Sequence, residues 1–311
     1  MNSQATALPE SPLEMEPRKP ATLSPTRPLY WSIRRELWEN RSIYLAPLAA
    51  AAIFFFGFSI SRITLPHRMR AISALDAAQQ RAAIAMPYNV AAVLIILTTL
   101  IVAVFYCLDT LHGERRDRSI LFWKSLPVSD LTTVLSKASI PLVVLPLVAF
   151  AIIVPLHLIM LLLSTAVLLV TGSSAASLWT QFRLLPESMI LLYGLTVHAL
   201  WYAPFYGWLM LVSAWARRTP FLWAVLPPLA LGAFERIAFQ TTYFGSLMKH
   251  RVGGAMAKAF VLEPGNKGDI TRLSQLDPLG FLGSPGLWLG LIAAALFLAV
   301  AVRLRRRGEP L

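Results

Sequence analysis

The chain has 311 residues, of which 56% are hydrophobic and only 14% charged, and its mean hydropathy is +0.60. Those values exclude an ordinary soluble domain and describe an integral membrane protein. The net charge of +12 does not point to nucleic acid, because the basic residues gather at the ends of apolar runs, where they meet lipid headgroups.

In chain order, residues 1–28 hold six prolines and three glutamates with little apolar content, which predicts a disordered tail; no cleavable signal peptide precedes the first apolar run. Leu29 to Ser42 mixes Tyr30, Trp31, Ile33, Leu37 and Trp38 with Arg34, Arg35 and Arg41. That pattern fits a helix lying in the membrane interface, with a cytosolic lead-in helix as the alternative. Apolar runs long enough to cross about 30 Å of hydrocarbon then follow at 44–61, 88–108, 138–170, 189–216, 221–239 and 286–302. The expectation is an all-α, polytopic fold of six transmembrane helices. The single cysteine, Cys107, lies in the second run and reads as a small buried hydrophobe.

Nothing from Ala138 to Phe182 carries a formal charge, so one long helix kinked at Pro141, Pro146 and Pro155 competes with a two-span hairpin. Parity favours the single helix. Six spans place 17 of the 28 Lys and Arg on the side of both termini, the cytoplasmic side by the positive-inside tendency; a seventh would put Arg303, Arg305, Arg306 and Arg307 outside. The fifth run contains Pro227 and Pro228, with Glu235 and Arg236 near its outer end. It is expected to be interrupted, and therefore to face a partner helix, a cavity or the outer vestibule. The last run presents Gly286, Gly290 and Ala294 at four-residue spacing, a stripe for close helix packing within one subunit or between two.

Catalytic patterns are scarce. No GxxxxGK[ST] phosphate loop and no HExxH or clustered metal ligands occur, which argues against a nucleotide-hydrolysing or metalloprotease role for this chain. Ser174 and Ser284 sit in faint, incomplete serine-nucleophile patterns and read as turn residues. His157 and His198 are the ionisable groups well inside the expected spans, with Glu235 near an outer end. They are candidates for a substrate or proton pathway, against a structural role as neutral imidazoles hydrogen-bonded to neighbouring helices.

The segment Asp109 to Lys137, DTLHGERRDRSILFWKSLPVSDLTTVLSK, is a short charged and aromatic connection between the second and third runs. Glu114 to Leu126 fits a helix carrying Ile120, Phe122, Trp123 and Leu126 on one broad arc and ending at Pro127, after which Ser129 or Asp130 caps the next helix. An aromatic anchor ringed by charge suits a protein contact, and a membrane-facing amphipathic loop is the alternative.

ERRDRSILFWKSLPVSD followed by LTTVLSK resembles the first cytoplasmic loop of the type-2 family of ATP-binding-cassette permeases. The C-terminal SPGLWLGLIAAALFLAVAVRLRRRGEP is similar to the last span of such bacterial proteins. The resemblance implies a half-transporter in the inner membrane, working as an exporter. Two six-span subunits, as a homo- or heterodimer, would join two separate ATPase subunits that bind ATP and Mg, and this chain would bind no cofactor. It further implies that Glu114, Arg115, Asp117, Arg118, Phe122, Trp123 and Leu126 dock on the ATPase as a coupling helix, with Pro127 setting the bend. Two other readings remain beside it: an intramembrane enzyme acting on a lipid-soluble substrate through His157, His198 or Ser174, and a membrane scaffold or sensor that recruits a cytosolic partner.

Overall fold

A computed structural model describes residues 26–125, 128–261, 270 and 272–307. Among them the chain is all-helical, apart from one isolated bridge between Phe260 and Leu276. Helix α1 (Thr26–Glu39) begins three residues inside the stretch expected to be a tail, because a proline in the first turn, Pro28, loses no intrahelical hydrogen bond. Next come α2 (Ser42–Ser61), a 3-10 turn at Arg62–Thr64, α3 (Leu65–Ser73) and α4 (Ala77–Asp109). The connection of interest holds α5 (His112–Arg116) and α6 (Ser119–Ser125), and α7 (Asp130–Ser139) continues through a π-helical turn at Ile140–Val144 into α8 (Leu145–Val170). The remainder comprises α9 (Ala176–Gln181), α10 (Leu184–Trp215), α11 (Pro220–Phe239), α12 (Tyr243–Ala259), α13 (Pro278–Leu282) and α14 (Pro285–Arg307).

Six of these stretches are long and apolar enough to cross a membrane: Ser42–Ser73, Ala77–Arg116, Asp130–Val170, Ala176–Trp215, Pro220–Phe239 and Pro285–Arg307. The third is one continuous helix rather than a hairpin. Pro141 and Pro146 remove consecutive-turn N–H donors, and the chain answers with the π turn instead of a break. The helix stops at Val170, where Gly172 adopts φ +69°, a left-handed turn open to glycine at no steric cost.

The interruption expected at Pro227 and Pro228 does not occur, and α11 runs through both prolines. Pro228 has no N–H for the Ala224 carbonyl, but the Trp208 indole of α10 donates to that oxygen at 3.0 Å. A neighbouring helix thus supplies the donor that the proline removed. Of the spanning helices α11 is the most peripheral; its one buried residue is Ala224. The central packing is between α10 and α14, where a Cβ on Gly207 would meet the backbone Cα and O of Ala294 at 3.2 Å. The expected small-residue stripe is therefore used inside the chain: Ala294 faces Gly207, while Gly286 and Gly290 lie under Trp201 and Arg251 of α10 and α12.

Candidate functional site

Alternating passage of the spans brings the start of α2, the end of α4, α5, α6, the start of α7 and the end of α14 to one end of the bundle, together with α1. At that end six charged side chains form one cluster, four of them buried and two, Arg35 and Asp130, partly buried. Glu36 of α1 and Lys137 of α7 are 1% and 3% exposed. Lys137 Nζ lies 2.9 Å from Glu36 Oε1 and 3.1 Å from Glu114 Oε1, and donates to the Thr110 hydroxyl at 3.0 Å. Arg305 of α14 pairs through Nη1 with Glu114 Oε2 and through Nε with Asp130 Oδ1, the latter at 3.1 Å. Arg35 adds contacts of 2.8 Å to Glu36 and 3.5 Å to Glu114, and the Tyr106 hydroxyl donates to Glu36 Oε2 at 2.8 Å.

Three carboxylates, Glu36, Glu114 and Asp130, thus meet three cations, Arg35, Lys137 and Arg305, in a core of balanced charge, with the half-exposed Glu39 at its edge 3.4 Å from Arg35. Neutrality and multiple hydrogen bonds are what a buried ionic group needs to offset its desolvation. Burial pushes the Glu36 carboxyl up, but the charge and hydrogen bond of Lys137, with Arg35 and Tyr106, more than offset it, and the group sits below its ordinary value of 4.5. The cluster ties four separate parts of the chain to α5, and loss of one partner would leave an uncompensated charge inside.

The docking candidates divide around this cluster. Glu114 points inward and is consumed by Lys137 and Arg305. Arg115 donates from Nη1 to the Ala214 carbonyl at 2.7 Å, holding α5 against the end of α10, where Ser213 Oγ accepts the Leu111 and His112 amides. Trp123 is half-buried under the Arg35 guanidinium, 3.7 Å from its ring centroid. Asp117, Arg118 and Phe122 face outward, with Phe122 60% exposed beside exposed Leu121. Leu126 and Pro127 lie outside the described residues. The single arc is not seen: Ile120 is buried and Phe122 exposed, as two residues about 200° apart on a helix must be. Arg118 joins α5 to α6 at φ +56°, a left-handed conformation that a non-glycine residue adopts at a cost of about 1 kcal/mol or more. Ser129 caps α7, its hydroxyl accepting from Thr132 N at 3.1 Å.

The pathway candidates do not converge. His157 Nε2 is 3.0 Å from the Tyr88 carbonyl oxygen, and its ring packs edge-on against Tyr88 and Phe182. His198 Nε2 is 3.2 Å from the Tyr206 hydroxyl and lines a cavity of about 20 Å³ with Leu145 and Ala149, room for about one water. Ala149 precedes His157 by eight residues on α8, so the two imidazoles stand at levels about 12 Å apart. Glu235 caps α12, accepting from Tyr243 N, Phe244 N and the Thr241 hydroxyl. Among the described residues no group of three His, Cys, Asp or Glu is arranged to hold a metal.

None of Glu36, Asp130, Lys137 and Arg305 was expected as a site residue; Asp130 was read as a candidate helix cap and Arg305 as part of the basic C-terminal run. The available signals were Glu36, one of two glutamates among the arginines and aromatics of α1, and a lone lysine where an apolar run begins. Comparison with protein-family models, curated proteins and solved structures finds no match to this chain.

Proposed function

We propose that this chain is the membrane-spanning subunit of an ATP-driven transporter, working as an exporter and powered by a separate ATP-binding-cassette ATPase. Both termini would lie in the cytoplasm at the end bearing the charged cluster, and a second permease subunit would complete the pathway. One observation carries the reading: the α5–α6 hairpin between the second and third spans offers Asp117, Arg118, Leu121 and Phe122 outward while Glu114 clamps it to α1, α7 and α14. A lever must be gripped on one side and rigidly joined to moving helices on the other. Glu114, Arg115 and Trp123 belong to the rigid side, and Asp117, Arg118 and Phe122 to the gripped side. The exposed aromatics Tyr30, Trp31 and Trp38, with Arg34 stacked on both tryptophans, suit α1 to the headgroup layer.

The test is purification of the tagged chain from its native membrane in mild detergent, measuring co-purifying ATPase protein and ATP hydrolysis. Arg118→Glu combined with Phe122→Ala should remove both while the chain still inserts. Unchanged association in that variant would refute the docking surface.

A further inference from the structure

At the far end of the bundle, about 30 Å along α2 from the charged cluster, Arg62 closes the first span in a different setting. It is 9% exposed, and its nearest ionisable neighbours are Tyr88 and a second cation, Arg68, with no described carboxylate paired to it. Its polar contacts are weak: Nη1 to Ser164 Oγ at 3.4 Å and Nη2 to Ser61 Oγ at 3.2 Å, with the Phe58 ring 3.8 Å from the guanidinium carbon. Nε is buried without a hydrogen bond, and the buried Tyr88 hydroxyl beside it has no hydrogen bond of ordinary geometry. Among the described residues, the other lysine and arginine side chains with relative exposure this low, Lys137 and Arg305, have carboxylate partners.

The same residues border a cavity of about 410 Å³ between α2, α3, α4 and α9. Arg62, Arg68 and Tyr88 form its polar part. Phe54, Phe58, Met69, Ile72 and Leu178 form an apolar wall, and exposed Met86 stands on its rim. A Cβ on Gly57 would meet no atom within 4 Å, so helix α2 leaves open space at the cavity. His157 and Phe182 hold the Tyr88 ring from behind, Phe182 stacked on it at 4.0 Å.

We propose that this cavity binds an anionic phospholipid, its phosphate on Arg62 and Arg68 and the start of its acyl chains along the apolar wall. An uncompensated guanidinium is costly where water is scarce, and a phosphate supplies the matching acceptors in the geometry a guanidinium prefers. Within the stretch Ser42–Ser73, the 20 residues of α2 alone rise about 30 Å, the thickness of the hydrocarbon core, which puts Arg62 near the level of lipid phosphates, and the volume holds a headgroup with the first part of its chains. The site is separate from the transport reading and does not depend on an ATPase.

The experiment is native mass spectrometry of the full chain in detergent, titrated with phosphatidylglycerol or with phosphatidylcholine of the same acyl chains. Wild type should retain one phosphatidylglycerol in preference to phosphatidylcholine. Arg62→Gln should reduce that retention about tenfold, as loss of one charge-assisted contact implies. Gly57→Leu, which keeps both arginines but fills the space, should reduce it too, and decides the question should Arg62→Gln fail to fold. Arg70→Gln, on α3 with Arg68 but outside the cavity, should leave it unchanged. Wild-type retention in Arg62→Gln or Gly57→Leu, or an equal loss in Arg70→Gln, would overturn the proposal. Inorganic phosphate displacing the lipid at equal concentration would overturn the lipid assignment in favour of a free anion.

Discussion

Replacing Lys137 with methionine keeps the length of the side chain and removes the more deeply buried of the two cations, Lys137 and Arg35, that stand between two buried carboxylates. Both Oε1 atoms, of Glu36 and Glu114, lie within about 3 Å of Nζ and hence within about 6 Å of each other. At an effective dielectric of about 20 their repulsion alone is about 3 kcal/mol, and breaking a buried ion pair typically costs about 3–5 kcal/mol. For a chain of this size that corresponds to a fall in melting temperature of about 10 °C. The protein carries its own reporter: Cys107 is the sole cysteine and is 0% exposed, so a fluorogenic maleimide reacts only as the fold opens. The double variant Glu36→Gln with Lys137→Met restores neutrality and should recover at least half of the loss. A Lys137→Met melting point within about 2 °C of wild type, or a double variant no better than the single, would refute the cluster as an energetic unit.

Other outcomes follow from the same geometry. Because the Glu36 carboxyl is held below 4.5, its contribution to stability is fully present above that value and is lost as pH falls through the lower folded-state value. Tryptophan fluorescence should therefore show acid destabilisation below about pH 4.5 that is reduced in Glu36→Gln. Gly207→Val should force α10 from the Ala294 backbone and cost about 1–3 kcal/mol in the Cys107 labelling assay, because backbone atoms at 3.2 Å cannot turn aside. Trp208→Phe should cost about 1–3 kcal/mol by orphaning the Ala224 carbonyl, and Pro228→Ala, which returns an N–H to that oxygen, should restore much of it in the double variant. Arg118→Gly should raise the melting temperature by relieving the left-handed backbone, while Arg118→Val lowers it.

The spans were legible because each is a local property: some twenty apolar residues in a row declare themselves without knowledge of their neighbours. The α7 cap was legible for the same reason, since Ser129 needs only the Thr132 amide three residues on. The charged cluster was not. Asp130 and Lys137 share a helical spacing on α7, but Glu36, Glu114 and Arg305 come from distant parts of the chain, Glu114 and Arg305 being separated by 191 positions, and no period relates them. Glu114 was expected to dock because the family resemblance carries it over by position with Arg115, Asp117 and Arg118, whereas helix geometry turns it inward, toward cations contributed by α7 and α14. Pro227 and Pro228 misled in the opposite sense. A proline pair predicts a break from local backbone chemistry, and the indole that prevents it comes from α10. Residues 243–259 fall outside every apolar run, because α12 has no strong apolar stripe; what positions it is contact, Trp201 Nε1 donating to the Arg251 carbonyl at 2.6 Å and Tyr193 Oη to that of Ala259 at 3.0 Å.

The most direct test of the transport reading is a photo-crosslinking amino acid at position 122, the outermost aromatic of α6, activated in the native membrane with adducts identified by mass spectrometry. The account predicts a crosslink to a P-loop ATPase subunit that is lost when Arg118 is reversed to glutamate. Adducts confined to lipid, or to proteins without a nucleotide-binding fold, would contradict it.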